Sequence, residues 1–270
     1  MKACVRAFST LLLAIATAAA GAADTSQIAN DQTILLRPER VWTGDGDAAH
    51  TGWVVLVRHG AIAAVGPRDK VEAPADARRI DLPGATLVPG LIDLHAHLFL
   101  HPYNETPWND QVLKEPVDYR TLMAAQHARD TLQAGFTTLR DLGTEGAGFA
   151  DVSIKRAIDE GMIPGPRLFI STLAIVASDS YGPGPRGFRP DIDLPSGAQE
   201  VSGVDEAIRA VRSQAGHGAD WIKIYVDYRI GTDGSAKPTF TASELPAMVE
   251  AAHASGRPVA AHAASDAGMR

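Results

Sequence analysis

From residue 87 onward the sequence predicts an α/β fold, a (β/α) barrel. Strand-length apolar runs at 87–95, 136–142, 167–172, 221–226 and 258–262 alternate with helix-length segments such as 121–133. Strands that are apolar along their whole length are buried on both faces, the mark of parallel strands covered by helices. The side chains with chemistry to offer, His95, His97, Asp141, Lys223 and His262, fall at or near the C-terminal ends of those runs, where such barrels carry their sites. A doubly wound nucleotide fold is the competing solution. No Gly-x-Gly-x-x-Gly follows a strand, however, and the glycines of Tyr181-Gly-Pro-Gly-Pro-Arg-Gly187 alternate with prolines, which have no N–H to offer a phosphate.

Two helices have legible ends. Thr241 and Glu244 form a capping-box pattern, Leu245, Met248, Val249 and Ala252 recur at helical spacing, and Gly256 stops the helix. Ser202 and Asp205 open a second stretch in which Val204, Ile208, Val211 and Ala215 share a face. Residues 101–114 and 177–203, rich in proline, glycine and polar side chains, read as loops placed to cover a site.

Ahead of the barrel, residues 24–86 carry short strands separated by turns at 43–47 and at His59-Gly60, a small β unit. The first 23 residues differ again. Lys2 and Arg6 precede an apolar run from Leu11 to Ala16, and Ala18-Ala-Ala-Gly-Ala-Ala23 supplies the small residues a signal peptidase accepts. The run is shorter than the roughly 20 residues a membrane span needs. The expectation is a cleaved signal peptide at 1–23 and a secreted or periplasmic protein with no membrane contact after cleavage. The only cysteine, Cys4, would leave with the leader, so no disulfide framework is expected. Loss of Lys2 and Arg6 takes the formal charge from −7 to −9, which opposes binding to nucleic acid. The expected partner is a small-molecule substrate, and the sequence leaves homo-oligomerisation open.

The chemistry starts at His95-Ala-His97. Side chains two apart in a strand point the same way, so both imidazoles can face one metal ion. Lys223 sits in the otherwise apolar Trp221-Ile-Lys-Ile-Tyr-Val226, and His262 ends the strand after Pro258. Asp93 shares a strand face with His95 and is a candidate for the metal neighbourhood or for barrel packing. Arg140 and Asp141 end the second strand, where they could pair with each other or orient substrate. His50, His59, His101, His127, His217 and His253 are expected to be solvated.

These residues carry a resemblance. Pro89-Gly-Leu-Ile-Asp-Leu-His-Ala-His97, Ala134-Gly-Phe-Thr-Thr-Leu-Arg-Asp-Leu-Gly143, Gly161-Met-Ile-Pro-Gly-Pro-Arg167, Asp220-Trp-Ile-Lys223 and Ala260-Ala-His262 together resemble the metal-dependent amidohydrolase superfamily, in its exported branch similar to imidazolonepropionases and Xaa-Pro dipeptidases. The resemblance implies a (β/α)8 TIM barrel with an N-terminal unit that is part of a composite β-sandwich. It implies two zinc ions, other divalent metals being possible: His95 and His97 on the first, His262 on the second, and a carboxylated Lys223 bridging both. Lys223 and His262 are then the catalytic positions, and Tyr225, Tyr228 and Arg140 the substrate-binding ones. The chemistry implied is hydrolysis of an amide, cyclic amide or dipeptide by a metal-bound hydroxide. A lactone hydrolase and an inactive binding barrel are the alternatives. The same pattern calls for a strand-6 histidine and a strand-8 aspartate beyond Arg270, so the chain is expected to be an N-terminal fragment, truncated after about strand 5 and weak in metal binding and turnover on its own.

Overall fold

The computed structural model describes residues 32–46, 48–184 and 187–270. The leader expected at 1–23 lies outside the described residues. Among these, no helix is long and apolar enough to cross a membrane. The chain divides into two compact units, one up to Pro89 and one from Gly90.

The first unit is a single five-stranded sheet. Strands β1 (Ile34–Val41), β2 (His50–Thr51), β3 (Trp53–Arg58) and β4 (Ala61–Pro67) run antiparallel in the order β2-β1-β3-β4, and β5 (Arg78–Leu87) lies parallel to β1. Leu35 opposite Leu56 sets the β1–β3 register, and these two side chains with Val54 form the unit's buried cluster. The expected strand at 87–95 does not exist as one element. Leu87 closes β5, where its carbonyl accepts from Trp42 N–H, and Pro89, with no N–H to give a ladder, separates it from the next strand.

The second unit holds two parallel sheets. Strands β6 (Leu91–Ala96), β7 (Phe136–Asp141) and β8 (Arg167–Ile170) form one, in chain order. The other runs β10-β9-β11-β14, built from β9 (Ile175–Ala177), β10 (Gln199–Val201), β11 (Ile222–Tyr225) and β14 (Val259–His262). Strands β12 (Asp227–Tyr228) and β13 (Lys237–Pro238) pair as a short antiparallel ribbon. Backbone N–H groups of Asp220 and Trp221 donate to Ile170 O, which ties the end of β8 to the start of β11. Gly90 is required where β6 begins: any Cβ there would overlap the Thr137 side chain.

Helices cover the sheets. Helix α1 (Trp108–Lys114) sets Trp108 against the Tyr181 and Tyr225 cluster, α2 (Val117–Gln133) and α3 (Ala150–Asp159) belong with the first sheet, α4 (Val204–His217) and α5 (Glu244–Ala254) with the second, and α6 (Asp266–Met269) is a final turn. Ala124 and Ala128 of α2 and Ile154 of α3 pack on Leu139, Leu168 and Ile170. Ala207, Ala210 and Val211 of α4 and Met248 and Ala252 of α5 pack on Ile222 and Ile224. Each fully buried Ile or Met in that layer contributes about 1.5–3 kcal/mol relative to exposure.

Helix α2 starts a turn earlier than the periodicity at 121–133 suggests, because Pro116 just before it loses nothing by lacking an N–H at a helix start. The loop expected at 101–114 contains α1, and the one at 177–203 contains β10. The α4 face is rotated: Ala207, Ala210, Val211 and Gln214 are buried, with Val204, Ile208 and Ala215 at its border. In the Thr241–Glu244 box only one arm forms, the Glu244 carboxylate accepting from Thr241 N–H at 2.8 Å. Strand β6 is not buried on both faces either. It is the edge of its sheet, and Ile92 and Leu94 are each 60 % exposed.

Candidate metal centre

The histidine pair sits at the end of β6, His95 in its last turn of pleat and His97 one residue beyond. Their rings lie 5.2 Å apart between centroids. Asp93 accepts the His95 backbone N–H at 2.9 Å, so its carboxylate braces the strand end. His97 Nδ1 is 2.9 Å from Gly143 O. A carbonyl only accepts, so Nδ1 carries the proton and Nε2 keeps the lone pair a metal would use. Gly143 makes this possible: its φ of +145°, a conformation that residues with a side chain rarely adopt, brings the carbonyl up to the ring.

Lys223 occupies the middle of β11 with 1 % of its surface exposed, flanked by Ile222 and Ile224. Its Nζ lies 5.3 Å over the Tyr225 ring, and no hydrogen bond to it is found among the described residues. Burial lowers its pKa to about 8, with Glu145 opposing and Arg140 reinforcing the shift. Its charge acts in both directions along the site. His95 is lowered to about 4 by burial first, then by Lys223, His97 and Arg140. His262, at the end of β14, is lowered by burial and then by Lys223, while Asp227 opposes. The lysine therefore lies within electrostatic reach of both histidine-bearing strand ends.

His262 stacks on Tyr225 at 4.4 Å and 18°, and Tyr228 stands 6.3 Å from the same imidazole. Trp108, Tyr181, Tyr228, Arg229 and Ile230 line a cleft of about 650 Å³. Arg140 is committed to structure as well as to the local field: its Nε donates to Leu94 O at 2.7 Å and its guanidinium covers the Trp221 ring at 4.4 Å. Asp141 is fully buried behind the histidine pair, where its two oxygens accept from Leu98 and Gly143 N–H.

Two acidic residues that matter here are absent from the sequence expectations. Asp227 accepts from Ala264 N, Ser265 N and Ser265 Oγ, clamping the segment after His262. Glu145 is buried beside His97 and accepts from Trp108 and Tyr181. Nothing in Asp227's sequence context marks it, whereas Glu145, flanked by Thr144 and Gly146 just past a strand end, offered a signal. Two histidines expected to be solvated are not: His101 is held by Glu115 at 2.9 Å, and His127 Nδ1 lies 2.8 Å from Leu98 O.

Among the described residues, no three His, Cys, Asp or Glu side chains form a ready cation cage. The donor set fits a metal only if Lys223 supplies an anionic ligand, and its unpartnered, desolvated amine is suited to that.

Residues 86–270 match the amidohydrolase family model. The chain is 26 % identical over 246 residues to the ochratoxinase of Aspergillus niger, an alignment covering 84 % of this chain and 49 % of that protein. Among solved structures, a Xaa-Pro dipeptidase with bound methionine superposes with a TM-score of 0.74 at 28 % identity, and an amidohydrolase with 0.70 at 33 %; each match covers 88 % of this chain and 58 % of the other. The chain thus spans about half the length of the curated relative. With the family model covering the whole second unit from β6 to α6, the chain belongs to the amidohydrolase family.

Proposed function

We propose that the protein is a zinc-dependent hydrolase of carbon–nitrogen bonds in amides, cyclic amides or dipeptides, exported behind the leader at 1–23. In this reading its two parallel sheets are part of a (β/α)8 barrel and its N-terminal sheet is one layer of a sandwich. The observation that carries the proposal is Lys223: a lysine 1 % exposed, with no hydrogen-bond partner among the described residues, whose charge reaches His95 on one side and His262 on the other.

His95 and His97 would hold one ion, His262 a second, and Lys223, as its carbamate, would bridge them. When bound, the ions supply acidification of a water and polarisation of the scissile carbonyl. The chain prepares the rest. At pKa about 8, roughly one Lys223 in ten is a free amine at pH 7, against about one in three thousand for an ordinary lysine. That amine adds to the carbon of carbon dioxide, forming an N–C bond and releasing a proton to leave an anionic carbamate. His97 is fixed with Nε2 free by its bond to Gly143 O. His262 is oriented by its stack on Tyr225, and Tyr225 and Tyr228 form the wall against which substrate would lie.

The test is zinc uptake by the full chain, followed by assay against dipeptides, N-acyl amino acids and lactones. Expected is weak zinc uptake that is lost in Lys223→Met and His97→Ala, with turnover of an amide substrate slow in the 270-residue chain alone. Zinc uptake unchanged by both substitutions overturns the assignment, and turnover of lactones alone moves it to ester chemistry.

A further inference from the structure

Glu145 is a buried carboxylate beside the histidine pair to which the proposed reading gives no task. It stands in the loop after β7, 3 % exposed, at φ +50°, a backbone conformation that non-glycine residues seldom adopt and that persists only where the surroundings enforce it. The enforcement is visible. Its main-chain carbonyl accepts from Arg120 Nη1 at 2.8 Å. Oε2 accepts from Trp108 Nε1 at 3.0 Å and from Tyr181 OH at 2.8 Å. Oε1 accepts no hydrogen bond among the described residues and lies 3.8 Å from His97 Nδ1.

The two oxygens thus face two different parts of the site. On the Oε2 side, the Tyr181 ring packs against Tyr225 at 5.0 Å and Tyr228 at 4.9 Å, and Tyr225 stacks on His262. Behind Oε1, the His97 Nδ1 proton is already donated to Gly143 O. A negative charge next to that proton favours the Nδ1–H tautomer and makes Nε2 a better electron donor, as carboxylates behind metal-bound imidazoles do.

We propose that Glu145 is a positioning residue of the candidate metal centre, its Oε1, 3.8 Å from His97 Nδ1, adding to the hold of the Gly143 carbonyl on the Nδ1–H form and its Oε2 fixing the Trp108–Tyr181 wall in register with the histidines. The inference rests on the hydrolase reading for the identity of the ion, and its test needs no turnover.

The experiment compares the full chain with Glu145→Gln, Glu145→Asp and Tyr181→Phe. Zinc affinity is read by competition with a chromophoric chelator, and the His97 tautomer from the ¹⁵N shifts of the metal-free protein. Glu145→Gln keeps the volume and removes the charge; it should weaken zinc binding roughly 10- to 100-fold and shift His97 toward Nε2–H. Glu145→Asp restores the charge and should recover most of both, and it carries the test if the glutamine variant does not fold. Tyr181→Phe removes a donor to Oε2 and a long contact, 3.5 Å, to the Tyr225 hydroxyl but leaves the Glu145 charge in place, and should leave zinc affinity within about threefold. Native zinc affinity in Glu145→Gln, or an equal loss in Tyr181→Phe, overturns the proposal. If the unaltered chain takes up no zinc, the hydrolase reading fails instead, and an unchanged His97 tautomer in Glu145→Gln then overturns the positioning role separately.

Discussion

The two histidine-bearing strand ends are built on one plan and differ in its electrical state. At the end of β6, a carboxylate from the adjacent β7, Asp141, catches the N–H of Leu98, the residue after His97, and that of Gly143. At the end of β14, a carboxylate just past the adjacent β11, Asp227, catches the N–H groups of Ala264 and Ser265, after His262, and the Ser265 hydroxyl. Asp141 is fully enclosed, its two bonds are long at 3.3 and 3.2 Å, and Asp151 is close by. Burial and then that neighbouring acid push its pKa well above the usual carboxylate range. Asp227 has no exposed surface but only a thin covering of protein. Burial raises it, the Ser265 and Ala264 donors more than offset that, and it stays below the ordinary value. Lighter enclosure and three donors against two together keep Asp227 an anion where Asp141 is pushed toward its acid form.

The comparison breaks most readily at Asp227. Asp227→Ala leaves two backbone N–H groups and a hydroxyl without an acceptor, and should cost about 3 kcal/mol by urea denaturation. Asp141→Asn keeps the shape and removes the charge that burial disfavours, and should cost less than Asp227→Ala, about 1 kcal/mol. Its sign with pH is fixed: a raised folded pKa means the native acid stabilises fully below about pH 4 and loses that contribution as pH rises through the folded value. The asparagine variant should therefore gain on the native protein as pH rises, and an Asp141→Asn cost equal to that of Asp227→Ala would erase the distinction. Asp151, raised to about 7 by burial, makes the same point more mildly. Its stabilisation is lost between about pH 4 and 7, so the melting temperature of Asp151→Asn should approach or pass the native one at pH 7.5 while lying below it at pH 5. The smallest effect is a titration shift. The His95 ring should titrate near pH 4 by NMR, lowered by burial and then by Lys223, His97 and Arg140, and His262 should also be lowered, by burial and then by Lys223, with Asp227 opposing. A depressed imidazole loses stability as pH falls, here from about 6.5 toward 4, since the unfolded chain takes the proton first. Midpoints at or above 6.5 for both rings would remove Lys223 from their vicinity.

Much of the second unit was legible because its signals are local. The strands at 136–142, 167–172, 221–226 and 258–262 announce themselves by continuous apolar runs, and the structure trims each by one or two residues. The His95–His97 pair is readable from spacing alone, and the two rings do lie side by side. Helix α1, seven residues long, and helix α3 were not read from the sequence. The acids that organise the site were hidden for a deeper reason. Asp227 acts on residues 37 and 38 positions away, and Glu145 on partners 36 and 37 positions away. Such pairings are created by the crossover of one strand beside another, which no spacing rule within a segment records.

Arg120 shows what that non-local wiring implies for change. From α2 its buried guanidinium donates to the main-chain oxygens of Phe99, Thr144 and Glu145, three carbonyls on two loops. Burial lowers its pKa, yet a guanidinium starts so high that it keeps its charge, so the brace does not switch off with acidity. A lysine could not span three acceptors from one planar head. The segments that follow β6 and β7 are therefore a single inherited part: transplanting either between relatives means moving the arginine with it, or building the mouth of the site anew.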